Sequence, residues 1–523
     1  MNNSYDIIIT GSGHNALVAA CYLAKAGKTV LVLEKNDYLG GATTSQKTFP
    51  EFEAYLSRYS YLISLLPQQI IEDLQLDLPL LQRKTASYTP YENEGKIEGL
   101  LLSNINSKLS KASVLNLRLG EKEWAGYQKF QERCQTFASL IWDSILQPLA
   151  SKSYWKQKFE NAGEAELWED IVEKPIGMFI EKYVQSDILR GVLLTDARIG
   201  VLSHAYDPSL LQNRTFIYHI IGNKTGEWRV PKGGMGNLVK QLIQKATELG
   251  VDFKTSTEVK KLQEITEGME VRTEKEVFRA SKVLWNAAPA ILEKTLANYH
   301  SIHTQKDEGT AFKINILLEK LPQLKDKNVK PEEAFSGTFH INQSFRQQQK
   351  AFEEIMNGYL PKYFPCEMYC HTLTDNSILS DELNEKGFHT ITVFGMDMPY
   401  RRFTENNEAQ KEKILYSFYD SINQFLEKSI QNCIARNSDG SLCIECKSAL
   451  DLEKDLGLPM GNIFHNDLSW FFAESEEEAD QFGVETDLEN LILCGSGAKR
   501  GGAVSGIPGY LAAKMVLENE KPD

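Results

Sequence analysis

The amino-acid sequence predicts an α/β protein in which a Rossmann-like dinucleotide-binding domain is assembled from discontinuous segments, with an α+β domain woven between them. Three observations predict it: a strand, glycine turn, helix and second strand at the N-terminus; a glycine-bearing helix and short sheet around 228–290; and a strand, glycine turn and helix at the C-terminus.

The first unit runs Tyr5-Asp-Ile-Ile-Ile-Thr-Gly11-Ser12-Gly13-His14-Asn15-Ala16. Its apolar and β-branched residues form a buried strand, and Gly11 lets the chain turn sharply into a helix. Gly13 lacks a Cβ, so the backbone can approach a pyrophosphate at the helix N-terminus, where unpaired N–H groups favour negative charge. The helix carries Ala16, Leu17, Ala20, Leu23 and Ala24 as its apolar face. The pattern's third glycine is replaced by Ala16, which still permits close packing of helix on strand. A second strand, Thr29 to Leu33, ends at Glu34, the acid placed to accept hydrogen bonds from a ribose. An ordinary αβ unit with a glycine turn would not need strand, turn, helix, second strand and acid at these spacings. A second glycine turn follows soon after, Gly40-Gly41-Ala42-Thr43-Thr44-Ser45.

From Trp124 to Val184, aromatic and charged residues recur at helical spacing (Trp124, Phe130, Phe137, Ile141, Ile145), which predicts an inserted helical cap whose aromatic stripe is core. Trp228-Arg-Val-Pro231-Lys-Gly233-Gly-Met-Gly236 then leads into an amphipathic helix, Asn237 to Leu249. The strand Val251 to Lys254, a short sheet around Val259, Val271 and Val277, and the strand Lys282 to Pro289 follow. Alternation in Phe312-Lys-Ile-Asn-Ile-Leu-Leu and His389-Thr-Ile-Thr-Val-Phe-Gly predicts a separate mixed sheet with helices between about 310 and 470. At the C-terminus, Leu491-Ile-Leu-Cys-Gly495-Ser-Gly497 and Gly501-Gly502-Ala-Val-Ser505-Gly506-Ile507-Pro508-Gly509 open an apolar helix, Tyr510 to Leu517. Exposed N–H groups at such a helix start suit a ring edge that becomes anionic on reduction. The expected division is 1–85, 225–300 and 485–523 for the dinucleotide domain, 86–224 for a helical cap and substrate region, and 301–484 for the second domain.

Composition excludes several classes. The chain has 523 residues, 42% hydrophobic and 24% charged, a profile suited to two or three globular domains. Its net charge of −14 argues against nucleic acid and against simple electrostatic docking on anionic lipid. No run reaches the length of a membrane-crossing helix, and the first strand begins within a few residues of Met1, so the expectation is a cytoplasmic protein. Eight cysteines in a chain of this length do not make a disulfide framework. Cys443 and Cys446 have metal or redox spacing but no partnering pair, and read, like Cys366 and Cys370, as ordinary strand thiols. No metal site is expected.

Together these segments resemble the amine-oxidase and phytoene-desaturase superfamily of two-domain flavoproteins, whose FAD-binding domain is of the two-glycine Rossmann-like (GR2) type. The resemblance covers nearly the whole chain. It rests most on Gly40-Gly-Ala-Thr-Thr, Leu56-Ser-Arg-Tyr-Ser-Tyr-Leu-Ile-Ser-Leu-Leu, Pro231-Lys-Gly-Gly-Met-Gly, Gly461-Asn-Ile-Phe-His465 and Leu493-Cys-Gly-Ser-Gly-Ala. Within the superfamily it is similar to the subgroup of pyridine-nucleotide-disulfide-oxidoreductase-domain-containing proteins related to bacterial phytoene desaturases and carotene ketolases. The resemblance implies FAD contacts from Gly11, Ser12, Gly13, His14, Asn15, Ala16, Glu34, Lys35, Gly40, Gly41, Ala42, Thr43 and Val259, and from Gly495, Ser505, Gly506, Ile507 and Pro508. Relatives usually carry His-Pro-Gly-Gly where this chain has Lys499-Arg500-Gly-Gly. The two cations would stabilise a reduced flavin or bind an acidic substrate, or else form a solvated basic turn.

Two absences narrow the reaction. Gly40 to Pro50 holds no cysteine pair, so a redox-active disulfide is not expected. No second strand–glycine–helix fingerprint marks an NAD(P)H domain. The reading is an FAD-dependent dehydrogenase, oxidase or desaturase that transfers hydride from a lipophilic, polyene-like substrate to flavin N5. Such chemistry needs few titrating residues. Candidates are His465, which the resemblance brings near the flavin face unless it is a satisfied structural histidine, and Arg58, which lines the substrate side or sits behind it. A redox-neutral isomerase using reduced FAD and a flavin-binding regulatory protein are the alternatives. Oligomeric state and peripheral membrane contact are left open by the sequence.

Overall fold

A computed structural model of the chain describes residues 4–297 and 308–519. The expected boundary at 300/301 lies outside them. Two seven-stranded sheets organise the molecule.

The first sheet is built from three distant stretches of chain. Strand Ser4–Thr10 lies at its centre, parallel to Val30–Leu33 on one side and to Val277–Trp285 on the other. Asp252–Lys254 extends it past Val30–Leu33, and Leu491–Leu493 joins in parallel at Val283–Trp285. The early half of Val277–Trp285 instead pairs antiparallel with Gly268–Arg272, and that strand with Lys261–Ile265. Val30–Leu33 is buried throughout, as a strand covered on both faces must be. Helix His14–Lys25 covers this sheet and is itself buried on nearly every side, which its alanines allow. The last helix, Ile507–Glu518, packs against it so closely that a Cβ at Gly509 would stand 1.9 Å from the Asn15 carbonyl oxygen. This is the expected discontinuous Rossmann-like domain.

The second sheet runs Ile444–Lys447, Phe312–Leu318, His389–Gly395, Cys366–Tyr369, Thr338–Ile341, Thr85–Asn93, Lys96–Ser103, antiparallel except where Thr338–Ile341 meets Thr85–Asn93. Its four central strands are buried on both faces, but the faces differ in chemistry. Ile314, Ile316, Phe339, Ile341, Met368, Ile391 and Val393 point into an apolar core with Ile414, Phe418 and Ile422 of helix Asn407–Asn423. The alternate positions, among them Lys313, Asn315, His340, Glu367 and Thr392, form a polar face that is also buried.

The helical cap was expected over 86–224. Its first part is instead the hairpin Thr85–Asn93 and Lys96–Ser103 at the edge of the second sheet, turned by Glu94 and Gly95, both with positive φ. That φ pair is the signature of a tight hairpin turn. Helices begin at Ser107–Leu115 and continue to Leu211–Ile220. Phe130, Phe137 and Ile141 are buried among Trp155, Phe159, Trp168 and Phe179, so the aromatic stripe is core. The cysteines are free; burial pushes the Cys443 thiol up to about 11 and the Cys446 thiol up to about 12, which suits inert strand thiols. Among the described residues no helix is long and apolar enough to cross a membrane.

Candidate cofactor and substrate site

Gly11 takes φ +82° and hands the chain to helix His14–Lys25, which starts at Gly13 without a side-chain cap. The first-turn N–H groups are therefore free for an anion. Glu34 is buried and accepts from the Ser12 N–H at 2.9 Å and the Ser12 hydroxyl at 2.7 Å, while its other oxygen accepts from the Asn36 N–H at 2.9 Å. Ser12 Oγ in turn accepts from the Gly40 N–H at 3.0 Å, and Gly13 and Gly40 form a parallel bridge. One carboxylate thus ties the two glycine turns into a single unit.

Further contacts bring the other segments to it. His14 Nδ1 pairs with Thr43 Oγ1 at 3.0 Å and its Nε2 with the Ala503 carbonyl at 3.1 Å, linking the first turn to the C-terminal glycine stretch. Asn15 donates to Ser496 Oγ at 3.4 Å, next to Gly495, whose backbone lies against Asn286. Thr257 N–H donates to the Glu34 carbonyl and Ser256 N–H to that of Asn36, so the half-buried Val259 follows directly on this edge. Ala42 accepts from Ser60, Gly41 stands over Gly13, and Gly506, Ile507 and Pro508 start the last helix beside Val18. Lys35 alone of this set is exposed, with its ammonium near Gly457.

These residues fit a dinucleotide. Asn15 Oδ1 is buried with no hydrogen-bond partner, an orphan acceptor at the helix start. A Cβ on Gly13 would come 3.0 Å from Asn286 Nδ2, and one on Gly41 3.4 Å from Gly13 Cα, so side chains there would fill the cradle. The uncapped helix start at His14 supplies its anion-facing N–H groups, whereas at the last helix the Ile507 N–H donates to Ser505 Oγ at 3.2 Å and Pro508 has none.

The four residues expected to act near the flavin divide. His465 is brought to His14: burial first, then repulsion from His14, holds its pKa down at about 4, and its Nδ1 has no partner. It is not a satisfied structural histidine. Burial likewise holds His14 at about 4, so both rings are neutral near pH 7. Lys499 instead pairs with Glu474 at 3.2 Å and with Glu478. Arg500 donates to the carbonyls of Phe471 at 3.0 Å, of Ser144 and Ile145 at 3.2 Å, and of Gln147, and burial lowers its pKa to about 10. Neither is a solvated basic turn. Both are committed to protein groups, which corrects the expectation that they stabilise a reduced flavin. Arg58 is held by Glu445 and by Gln46 at 2.9 Å, and so positions the strands around it rather than facing a substrate.

The sequence reading passed over a buried polar cluster on the second sheet. Lys313 Nζ donates to the carbonyls of Ser57 at 2.8 Å and Tyr59 at 2.5 Å and lies 4.9 Å from the Tyr61 ring; burial drives its pKa well below the usual lysine value. Tyr61 packs at 4.7 Å on Tyr369, which donates to Glu367. Arg83 lies 5.8 Å from the Tyr369 ring and donates to Thr338 Oγ1 at 2.9 Å. Asp196, facing this group from the cap, has its carboxyl raised by burial. The available signal was a lysine within an otherwise apolar strand.

Beside Ser505 and Ile507 opens a narrow cleft of about 50 Å³ with mostly apolar walls, including Leu65, Ile145, Ile217, Ile221 and Leu468. Tyr218 lines it and lies 6.2 Å from the Trp228 ring, which packs with Tyr61 on Leu62, Val230 and Tyr369, so cleft and polar cluster are neighbours.

Comparison with known proteins places this geometry. Residues 9–67 match the NAD(P)-binding Rossmann-like domain and residues 82–357 the flavin containing amine oxidoreductase family. An uncharacterised protein of Mycobacterium tuberculosis is 38% identical, covering 99% of this chain and 97% of that one. The pyridine nucleotide-disulfide oxidoreductase domain-containing protein 2 of Rattus norvegicus is 28% identical over 99% of this chain and 94% of its own. A carotenoid 3,4-desaturase of Haloarcula japonica is 24% identical over 56% of this chain and 58% of its own. Among solved structures, a double mutant of putrescine oxidase superposes with a TM-score of 0.58 at 16% identity, covering 99% and 98% of the two chains. The cofactor is FAD, and the protein is an FAD-dependent oxidoreductase.

Proposed function

The chain belongs to the flavin containing amine oxidoreductase family, and on that premise we propose that its substrate is lipophilic and is oxidised at a C–H bond, with a polyene or similar chain as the class. FAD, when bound, supplies a two-electron acceptor. The observation that carries the reading is the apolar cleft that opens onto Ser505 and Ile507, at the start of the last helix. Its leucine, isoleucine and phenylalanine walls exclude water and favour an apolar segment by roughly 25 cal/mol per Å² buried. The likeness to a carotenoid desaturase supports the same class.

The chain's own residues then act by placement. The Glu34–Ser12–Gly40 network fixes the two glycine turns. His14 and His465 stay neutral, so neither adds positive charge beside the C-terminal glycine stretch. The polar face of the second sheet is held by its own bonds, from Lys313 to the carbonyls of Ser57 and Tyr59 and from Tyr369 to Glu367, and so fixes the wall behind the cleft.

The test is extraction of the freshly purified yellow protein with organic solvent, followed by mass spectrometry, and anaerobic addition of the compound recovered. An alkyl or polyisoprenoid ligand that bleaches the flavin is expected. Recovery of a sugar, a nucleotide or a free amino acid that reduces the flavin would sink the lipophilic class.

A further inference from the structure

Helix Leu211–Ile220 presents Arg214, Ile217, Tyr218 and, one turn on, Ile221 to the cleft, spacings that put all four on one face. Three of these are wall. Arg214 is different: the residue is only half-buried, but its Nε is sealed from solvent with no hydrogen-bond partner.

The other guanidinium in the cleft, Arg500, is spent on backbone carbonyls and has no acid beside it. Among the described residues no aspartate or glutamate lines the cleft. In a chain of net charge −14, two guanidinium groups facing one apolar cleft without a carboxylate are an unbalanced charge. Sealing the Arg214 Nε–H without an acceptor is costly, and the cost is recovered when an anion enters. A guanidinium is planar and presents paired donors, so the anion that suits it is one whose two oxygens lie in a plane.

We infer that the cleft binds an amphipathic carboxylate, with its carboxyl group on Arg214 and its hydrocarbon chain along Leu65, Ile145, Ile217 and Leu468. The inference rests on the lipophilic reading above and narrows it: the compound is an acid with an alkyl or polyene tail rather than a neutral hydrocarbon. Head group and tail are read by different residues, so each can be tested alone.

The test is calorimetric titration of the flavin-loaded protein with decanoate, decanol and decyl sulfate. Decanoate is expected to bind more tightly than decanol by about ten-fold or more, the range of a charge-assisted hydrogen bond. Arg214→Gln should remove that difference by weakening decanoate while leaving decanol unchanged. Arg214→Lys, which keeps the charge and loses the fork, should fall between them and guards against a glutamine variant that fails to fold. Equal binding of decanol and decanoate, unaffected by Arg214→Gln, overturns the carboxylate while the lipophilic cleft stands. Decyl sulfate binding as tightly as decanoate overturns the choice of a planar head group. If none of the three binds, the apolar reading of the cleft fails as well.

Discussion

Arg500 and Lys499 show how one residue's partners decide its role. As sequence, two cations before a double glycine suggest charge offered to a flavin; as structure, Lys499 lies between Glu474 and Glu478, and Arg500 gathers the carbonyls of Phe471, Ser144, Ile145 and Gln147. Arg500→Met would strand those buried acceptors. It should cost about 2 to 4 kcal/mol of stability, since each unsatisfied buried group costs roughly 1 to 3. Thermal denaturation checks this. A midpoint potential that shifts while the melting temperature stays fixed would restore the flavin role. Glu34 is the opposite case, legible from its place after the second strand. Its carboxylate also holds Ser12, so Glu34→Ala should loosen the first glycine turn as well as lose a ribose contact. FAD retention is expected to weaken by about 1 to 3 kcal/mol, the scale of a charged hydrogen bond. Flavin fluorescence during dialysis measures it, and unchanged retention would remove Glu34 from the cofactor site.

Among elements, the first and last helices approach closely enough to exclude a side chain. Gly509 faces Asn15 where a Cβ would come 1.9 Å from a backbone oxygen, nearer than any real contact. Gly509→Ala must therefore separate the helices or distort the turn at Asn15, at a cost of about 1 to 3 kcal/mol for overpacking. Because Asn15 starts the first helix, FAD retention should fall together with the melting temperature. A variant that melts like the parent and keeps its flavin would show that the helices have room. Strands 312–318 and 389–395 were legible because apolar residues alternate in them. The hairpin at 85–103 was not: Pro90 lies within its first strand, and proline argues against an internal strand. Thr338–Ile341 pairs with that strand only at Ser87 and Tyr88, so Pro90 lies beyond the pairing on that side. Still less legible was the polar face of the second sheet. Alternation marks one face as apolar and leaves the other to solvent by default, whereas here the cap buries Lys313, His340 and Glu367 as well.

At the scale of the whole molecule, the discontinuous first sheet was readable because each of its pieces carries its own glycine turn, while the cleft was not, because its walls come from five separate stretches of chain. The same topology accounts for electron supply. The one strand–glycine–helix unit with a terminal acid is already closed on itself by Glu34 and Gly40, and no second such unit occurs among the described residues. NADPH should therefore bleach the flavin only slowly in stopped flow, and fast, saturable bleaching would reveal a nucleotide site elsewhere.

Acid sensitivity also belongs to the whole molecule, because the histidines that set it come from helical turns that follow a strand of each sheet and from a distant loop. Burial holds His14 and His465 at about 4 and His371 at about 3, all below the usual 6.5 of histidine. The unfolded chain therefore takes up protons first. Stability is full above pH 6.5 and is lost as pH falls from 6.5 toward 4, with a slope of about 1.4 kcal/mol per pH unit for each histidine involved. Asp196 and Asp397 work the other way, since burial raises their carboxyls and the folded state then binds the proton more readily. They offset part of the slope only toward its acid end. The melting temperature of the flavoprotein should thus drop between pH 6.5 and 5, and flavin should be released over the same interval. His371→Phe keeps the ring stacked on Tyr369 but cannot be protonated, so it should flatten the slope by one proton. A melting temperature that is level from pH 7 to 5, or a slope that His371→Phe leaves untouched, would mean that these rings find water or partners before the chain unfolds.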